Sequence, residues 1–354
     1  SDCIGGATKV NVDILNIFLH EKPVVVFSKK YKNNAFARYF QQSGVHIIDL
    51  RNRVDNKILY IINIIYRGIL SAWINQAENP VVFGGESIYF YKVIPYLKKN
   101  ARVIELLHLS TWLNYNQAFV KHIDVRISST PKLKRDIEAQ YAQNGVPEKY
   151  FERLLFIDNW VDIPVYRQEE HQRLNVLFVG RGSPQKRVHL VSQIADKIMK
   201  ATDEITFTFV GDVSNLVSDY TQKHAKLYGN VSDGKVLSDI YETADILILT
   251  SAYEGLPIVV MDMMARGKLV LSTAVDGIPD YVRHRDTGLL LYEVWDENKL
   301  VEEAASLIYE MNTDRNQLKQ LGERAFLFAR EHFLKANFEQ KYSAVFARNR
   351  MEVG

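Results

Sequence analysis

The 354 residues suffice for two domains, each able to bury its own core, and the 47% hydrophobic and 24% charged content excludes a disordered or fibrous chain. One cysteine, Cys3, excludes an intrachain disulfide framework and fits a reducing compartment; with no secretory signal or uninterrupted membrane-length apolar run visible, a cytoplasmic location is expected. The formal net charge of +2 conceals an asymmetry, since residues 1–165 carry 21 Lys and Arg against 15 Asp and Glu while residues 166–354 carry 23 against 27. Chance scatter and attraction of the basic half to an anionic membrane face are equally open explanations, and nucleic acid is the poorer candidate because no basic-aromatic strip accompanies the charge.

In chain order, Gly5-Gly6 opens a helical pattern with Val10, Ile14, Ile17 and Phe18 on one face. A glycine pair before a helix permits close backbone approach to a phosphate or sugar, a weak signal by itself. Val24–Ser28, a helix around Asn34–Gln42 and Val45–Leu50 read as strand, helix and strand. The segment Ile58–Ile74 is rich in Ile, Tyr and Trp, but Arg67 interrupts it and it is short for a span. A buried core helix is the expectation, with interfacial insertion as the minority reading. Val81–Phe83 runs into Gly84-Gly85-Glu86, and Arg102–Leu107 is a strand followed at once by His108; His46 and His122 are read as structural. A helix over Pro131–Tyr141 has proline in its first turn, and the polar, aperiodic stretch Tyr166–Arg173 reads as an interdomain linker.

The second half opens with a buried strand over Asn175–Gly180, then Arg181-Gly182-Ser183-Pro184-Gln185-Lys186-Arg187, then a helix from Val188. Two cations at a strand end beside a helix N-terminus make a diphosphate clamp, Arg binding bidentately and Lys as a point charge; the bland alternative is a solvated loop. Ile205–Val210 leads into Gly211-Asp212, and Tyr228-Gly229-Asn230-Val231 precedes a helix over Lys235–Thr243. The densest stretch follows: a strand over Ile246–Thr250, the loop Tyr253-Glu254-Gly255-Leu256-Pro257, a helix over Ile258–Arg266, a strand over Leu269–Thr273 and a Gly-Pro loop. Glu254 thus stands just past a strand's carboxyl end, where open α/β sheets bind ligands, and an anionic or sugar-like ligand is expected. Helices over Glu297–Glu310, Arg315–Glu331 and Phe338–Arg348 complete the chain.

These motifs resemble the family 4 retaining glycosyltransferases (glycosyl transferases group 1), over nearly the entire chain. The family pattern is a Glu, Gly-Phe/Leu-Pro, a second carboxylate eight positions after the first, and a Gly-Ile-Pro-Glu-like loop; here it reads Glu254, Gly255-Leu256-Pro257, Asp262 and Gly277-Ile278-Pro279-Asp280. Gly180-Arg181 with Lys186, Gly211-Asp212, Gly5-Gly6, His108 after its strand and the turn Asn159-Trp160-Val161-Asp162 also match. The departures are Asp262 for Glu, and Trp160 and Arg187 where the family usually has Gly.

The resemblance implies an α/β GT-B fold, two Rossmann-like domains facing each other across a cleft. Residues 1–165 would be the acceptor-side domain, 166–335 the nucleotide-sugar donor domain and 336–354 a helix crossing back to the first. Ser1–Ile4 is too short to supply the strand expected before Gly5, so that strand is expected upstream. By the same resemblance, His108, Arg181, Lys186 and Glu254 are the catalytic candidates. Gly5, Gly6, Gly180, Gly211, Val231, Gly255, Leu256, Pro257 and Asp262 join Arg181, Lys186 and Glu254 in binding the nucleotide-sugar. No metal or cofactor is expected, for the sequence holds no Asp-x-Asp or His/Cys ligand cluster and two cations can neutralise the leaving diphosphate.

The implied activity is transfer of a sugar, with retention, from a nucleotide-sugar to a saccharide or polyprenyl-linked saccharide acceptor. UDP is expected before GDP, and bacterial cell-surface polysaccharide synthesis at the inner membrane face is the expected setting. Competing readings are a sugar-nucleotide epimerase or phosphorylase on the same fold, and a non-catalytic nucleotide-sugar-binding scaffold.

Overall fold

The computed structural model describes residues 6–29, 40–41, 43–55, 60–167 and 170–347. They divide into two compact units, one over residues 159–335, the other over residues up to 158 together with those from 336 onward. Gly5 and most of the helix expected around Asn34–Gln42 lie outside the described residues.

In the first half, β1 (Val24–Phe27) pairs in parallel with β2 (His46–Asp49). A separate parallel sheet has the order β3 (Val81–Gly84), β4 (Arg102–Leu107), β5 (Val125–Ser128), β6 (Leu154–Phe156). Near-continuous apolar runs form these strands because helices cover both faces of a parallel sheet; β4 is buried from Val103 through Leu107. Glu105 in that strand is fully buried and is satisfied by Arg126 Nε and by the hydroxyl of Tyr91 (2.5 Å), while Arg126 also donates to Tyr141 Oη (2.8 Å). The helix Lys335–Ala347 belongs to this unit, where Phe346 stacks on Phe18 at 4.2 Å.

The Ile58–Ile74 expectation needs correction. The helix Tyr60–Ile74 buries Leu70 and Ser71 but leaves one whole face exposed, because the elements packed on it, notably Arg51–Val54 and Ile88–Val93, cover only the other side.

The second unit holds a six-stranded parallel sheet in the order β12 (Leu289–Leu291), β11 (Leu269–Thr273), β10 (Ile246–Leu249), β7 (Leu174–Val179), β8 (Ile205–Val210), β9 (Lys226–Leu227). Chain progression reverses beside β7: β8 and β9 build outward on one flank, β10 to β12 on the other. The carboxyl ends of β7 and β10 therefore flank a topological switch point, where adjacent loops diverge and leave a crevice.

The expected linker is also corrected. The units divide at residues 158 and 159, and the described residues of this stretch pack on the second unit: Tyr166 stacks on Phe326 (4.7 Å), His171 Nδ1 pairs with Asp245 (2.9 Å) and Glu170 pairs with Lys319. Its polarity reflects charge pairing on a domain surface rather than solvation of a free segment. Trp160 does not occupy the left-handed region, so the turn Asn159–Asp162 needs no glycine there.

Candidate functional site

Two loops at the switch point carry the charged groups. After β7, Gly180 and Gly182 let the backbone pass close to the end of β8: a Cβ on Gly211 would lie 1.9 Å from Gly180 O, and one on Gly182 would lie 2.5 Å from Asp212 O. Gly211 takes φ +128°, and its N–H donates to Gly229 O (2.7 Å), which ties in the loop that carries half-buried Val231. Arg181 is exposed and, among the described residues, forms no ion pair.

Lys186 is buried, and its Nζ donates to Glu254 Oε1 across the ends of β7 and β10. Three further bonds knit these loops: Gln185 Nε2 to Tyr253 O (2.8 Å), Ala252 N–H to Gln185 O (2.8 Å) and Thr250 Oγ1 to Lys186 O (3.1 Å). Glu254 N–H in turn donates to Asp276 Oδ2 (2.7 Å), a residue held at φ +43° just before Gly277-Ile278-Pro279.

Arg187, a departure from the family pattern, organises this region. It stands at φ +45°, ψ +50°, the left-handed conformation that explains why glycine suits this position. Its buried guanidinium donates to Thr250 O (2.6 Å), Val294 O (2.7 Å) and Ser251 O (3.3 Å). Burial pulls its pKa below the ordinary arginine value, opposed by Glu297. The strand-end carbonyls satisfy a cation that faces no bonded carboxylate, and so the loop after β7 is latched to the segment that leads to Glu254. No sequence signal predicts these partners, which lie 63, 107 and 64 residues away.

Gly255 follows Glu254, Leu256 is buried and Pro257 caps the helix Ile258–Met264, two residues shorter than expected. Asp262, on that helix, faces Arg266 (3.4 Å), which also binds Glu242 Oε1 (3.1 Å) and Ser238 Oγ (3.1 Å). The Asp262 carboxylate is thus engaged by a neighbouring cation one turn away.

On the other unit, His108 directly follows β4, and Gly6 starts the helix Gly6–Ile17. Glu86 Oε1 accepts the N–H groups of His108 (2.7 Å) and Leu109 (2.9 Å). Glu86 reaches them from a left-handed backbone (φ +49°), after Gly85, whose Cβ would sit 1.9 Å from Leu106 O. Burial raises the Glu86 carboxyl pKa, opposed by those two N–H groups. The Nε2 of His108 is buried without a hydrogen-bond partner among the described residues, and burial lowers its pKa to about 4. The imidazole is therefore neutral at physiological pH, suited to hydrogen bonding rather than to carrying charge. Among the described residues no group of three or more His, Cys, Asp or Glu is placed to hold a metal ion.

A family model described as glycosyl transferases group 1 matches residues 164–326, the segment that carries Arg181, Lys186, Glu254 and Asp262. Over these residues the chain is similar to that family. The chain is 28% identical over 167 residues to N-acetyl-alpha-D-glucosaminyl L-malate synthase of Bacillus anthracis, covering 46% of this chain and 42% of that protein. It is also 27% identical over 149 residues to the sulfoquinovosyl transferase SQD2 of Arabidopsis thaliana, covering 41% of this chain and 28% of that one. The chain spans less than half the length of these curated relatives.

Beyond the matched segment, the fold is shared along nearly the full chain. Anabaena Alr3699/HepE in complex with UDP and glucose superposes with a TM-score of 0.74 at 17% identity, covering 98% of this chain and 97% of that one. The lipopolysaccharide outer core galactosyltransferase WaaB gives a TM-score of 0.71 at 17% identity with the same coverages. The fold is that of the GT-B glycosyltransferases.

Proposed function

We propose that this protein is a glycosyltransferase that moves a sugar, with retention, from a UDP-linked donor to a saccharide or lipid-linked saccharide acceptor in cell-surface polysaccharide synthesis. The observation that carries the reading is the cation pair Arg181 and Lys186 at the switch point of the segment similar to the group 1 family, with Glu254 bonded to Lys186. In this reading Arg181 takes the donor diphosphate bidentately and Lys186 neutralises the charge that grows on the nucleoside diphosphate as it leaves the anomeric carbon. No metal is required for that role. Glu254 orients the hydroxyls of the transferred sugar, and neutral His108 hydrogen-bonds the sugar through Nε2. UDP is preferred as the nucleotide because the HepE complexes contain UDP, UDP-glucose or UDP with glucose.

One observation favours the scaffold alternative: Asp262, expected to help bind the nucleotide-sugar, already faces Arg266. A thermal-shift panel of UDP, GDP, ADP and their sugar conjugates separates the readings. A ligand at a hundred times its dissociation constant stabilises the folded state by about 2.7 kcal/mol. A UDP-sugar should shift the protein but not the Arg181→Ala/Lys186→Ala variant, and UDP should be released once an acceptor is supplied. Binding without release under any acceptor leaves the scaffold; no shift with any nucleotide ends the donor-site reading.

A further inference from the structure

The helix Tyr60–Ile74 presents an inverted surface. Ile61, Ile64, Ile65, Ile69 and Trp73 are all exposed, Ile61 at 72% and Ile69 at 57%. Gly68 and Ala72 fill the positions between them, so no polar side chain interrupts the stripe. The spacing follows the helical repeat, and a helix on a solvated surface would carry polar residues along this face. The opposite face packs through Leu70, Tyr66 and Ile74 against Leu50, Val54, Tyr89 and Val93, so this helix has a core face besides the exposed stripe.

Basic groups outnumber acidic ones around it, with Asp49, Asp55 and Glu78 among the acidic residues just beyond the helix and the elements that pack on it. The helix itself and the flanking elements Arg51–Val54, Ile88–Val93 and Ile94–Tyr96 contain Arg51, Arg53, Arg67 and Lys92 and no Asp or Glu. Arg51 is paired with Asp49, but Arg53 lies over the Tyr66 ring, and Arg67 and Lys92 lie over the Tyr60 ring, at the edge of the apolar stripe. Lys98 and Lys99 follow Tyr96, which is 63% exposed and whose carbonyl accepts from Asn75 Nδ2 (3.0 Å), next to the end of the helix.

We propose that this face docks the protein on an anionic lipid membrane, with the helix lying in the plane of the interface, its isoleucines and Trp73 in the acyl-headgroup boundary and the basic rim against lipid phosphates. At 15 residues the helix is about 22 Å long, and no described helix is long and apolar enough to cross a bilayer. A second copy of the chain is the poorer occupant, since face-to-face pairing would bring two basic rims together, whereas anionic headgroups complement them. The proposal deepens the lipid-linked-acceptor reading by naming the surface, and rests on it only for the purpose docking would serve.

The test is co-sedimentation of the full chain with vesicles of phosphatidylcholine alone or mixed with phosphatidylglycerol, at low and high salt. The wild type should pellet with the anionic vesicles, less so at high salt, and weakly with phosphatidylcholine. The exposed-site variant Ile61→Ser/Ile65→Ser/Ile69→Ser should bind roughly a hundred-fold more weakly, about five-fold for each isoleucine withdrawn from partial burial. Its unfolding midpoint should match the wild type, which shows that it folds. No binding by folded wild type, or equal binding by the variant, overturns the proposal. So does a concentration-dependent wild-type dimer that the variant abolishes without any vesicle binding, which would assign the face to a second copy. Vesicle binding that persists while every nucleotide fails to shift the protein would sink the donor-site reading alone.

Discussion

Lys186 and Glu254, 68 residues apart in sequence, are bonded to each other through Nζ and Oε1 across the ends of β7 and β10, with side chains only 11% and 8% exposed. A pair this enclosed is a weak source of net stability, because desolvation offsets the Coulomb attraction, yet removing one partner strands the other. Glu254→Gln or Lys186→Met alone should therefore destabilise by about 3 kcal/mol. The double variant should recover most of that loss while remaining inactive, a coupling readable from urea unfolding. Additive losses would show that the two side chains do not depend on each other.

Arg187→Gly sets two effects against each other. Glycine relieves the left-handed backbone, worth about 1 kcal/mol, but removes three charge-assisted donors to buried carbonyls, worth about 1.5 kcal/mol or more each. The loss should win, with a net destabilisation of roughly 2 kcal/mol or more, and Arg187→Lys should not restore it, since one ammonium cannot reach carbonyls of Thr250, Ser251 and Val294 together. A thermal midpoint for Arg187→Gly at or above wild type would show the latch to be dispensable.

Glu86 acts through its bonds to the backbone of His108 and Leu109. Glu86→Ala frees the strand-end segment and should lower the rate of the proposed sugar transfer by roughly ten- to a hundred-fold, as expected of a misplacement near 1 Å, with a smaller change in the KM for the proposed donor. Glu86→Gln retains an acceptor oxygen and should restore most of the rate. Equal defects in the two variants would point to a requirement for the carboxylate charge instead.

The pH dependence of stability follows from His108. Its folded pKa of about 4 lies below the ordinary 6.5, so between these values the unfolded chain takes up the proton and the folded one does not. The contribution of the buried imidazole is fully present above pH 6.5 and is lost progressively as pH falls to about 4. Wild type should therefore lose stability relative to His108→Gln across that window, measured by urea titration at stepped pH. A difference that stays flat would place His108 in water.

Much of the second unit was legible in the sequence. The strands that became β7, β10 and β11 are short apolar runs bounded by turn residues, and the order of charges along the chain put Arg181, Lys186 and Glu254 at strand ends. Local chemistry suffices for that, because hydrophobic period and turn residues act within a few positions. The tertiary structure alone decided which strand ends are neighbours, and hence that Lys186 meets Glu254, that Arg187 rather than a glycine fills a left-handed position by bonding carbonyls 63 to 107 residues away, and that Asp262 faces Arg266. It also decided that Tyr166, Glu170 and His171 pack on one unit and that the apolar stripe of Tyr60–Ile74 faces outward. Hydropathy records how apolar a face is; what covers it is fixed by long-range packing that no local window contains.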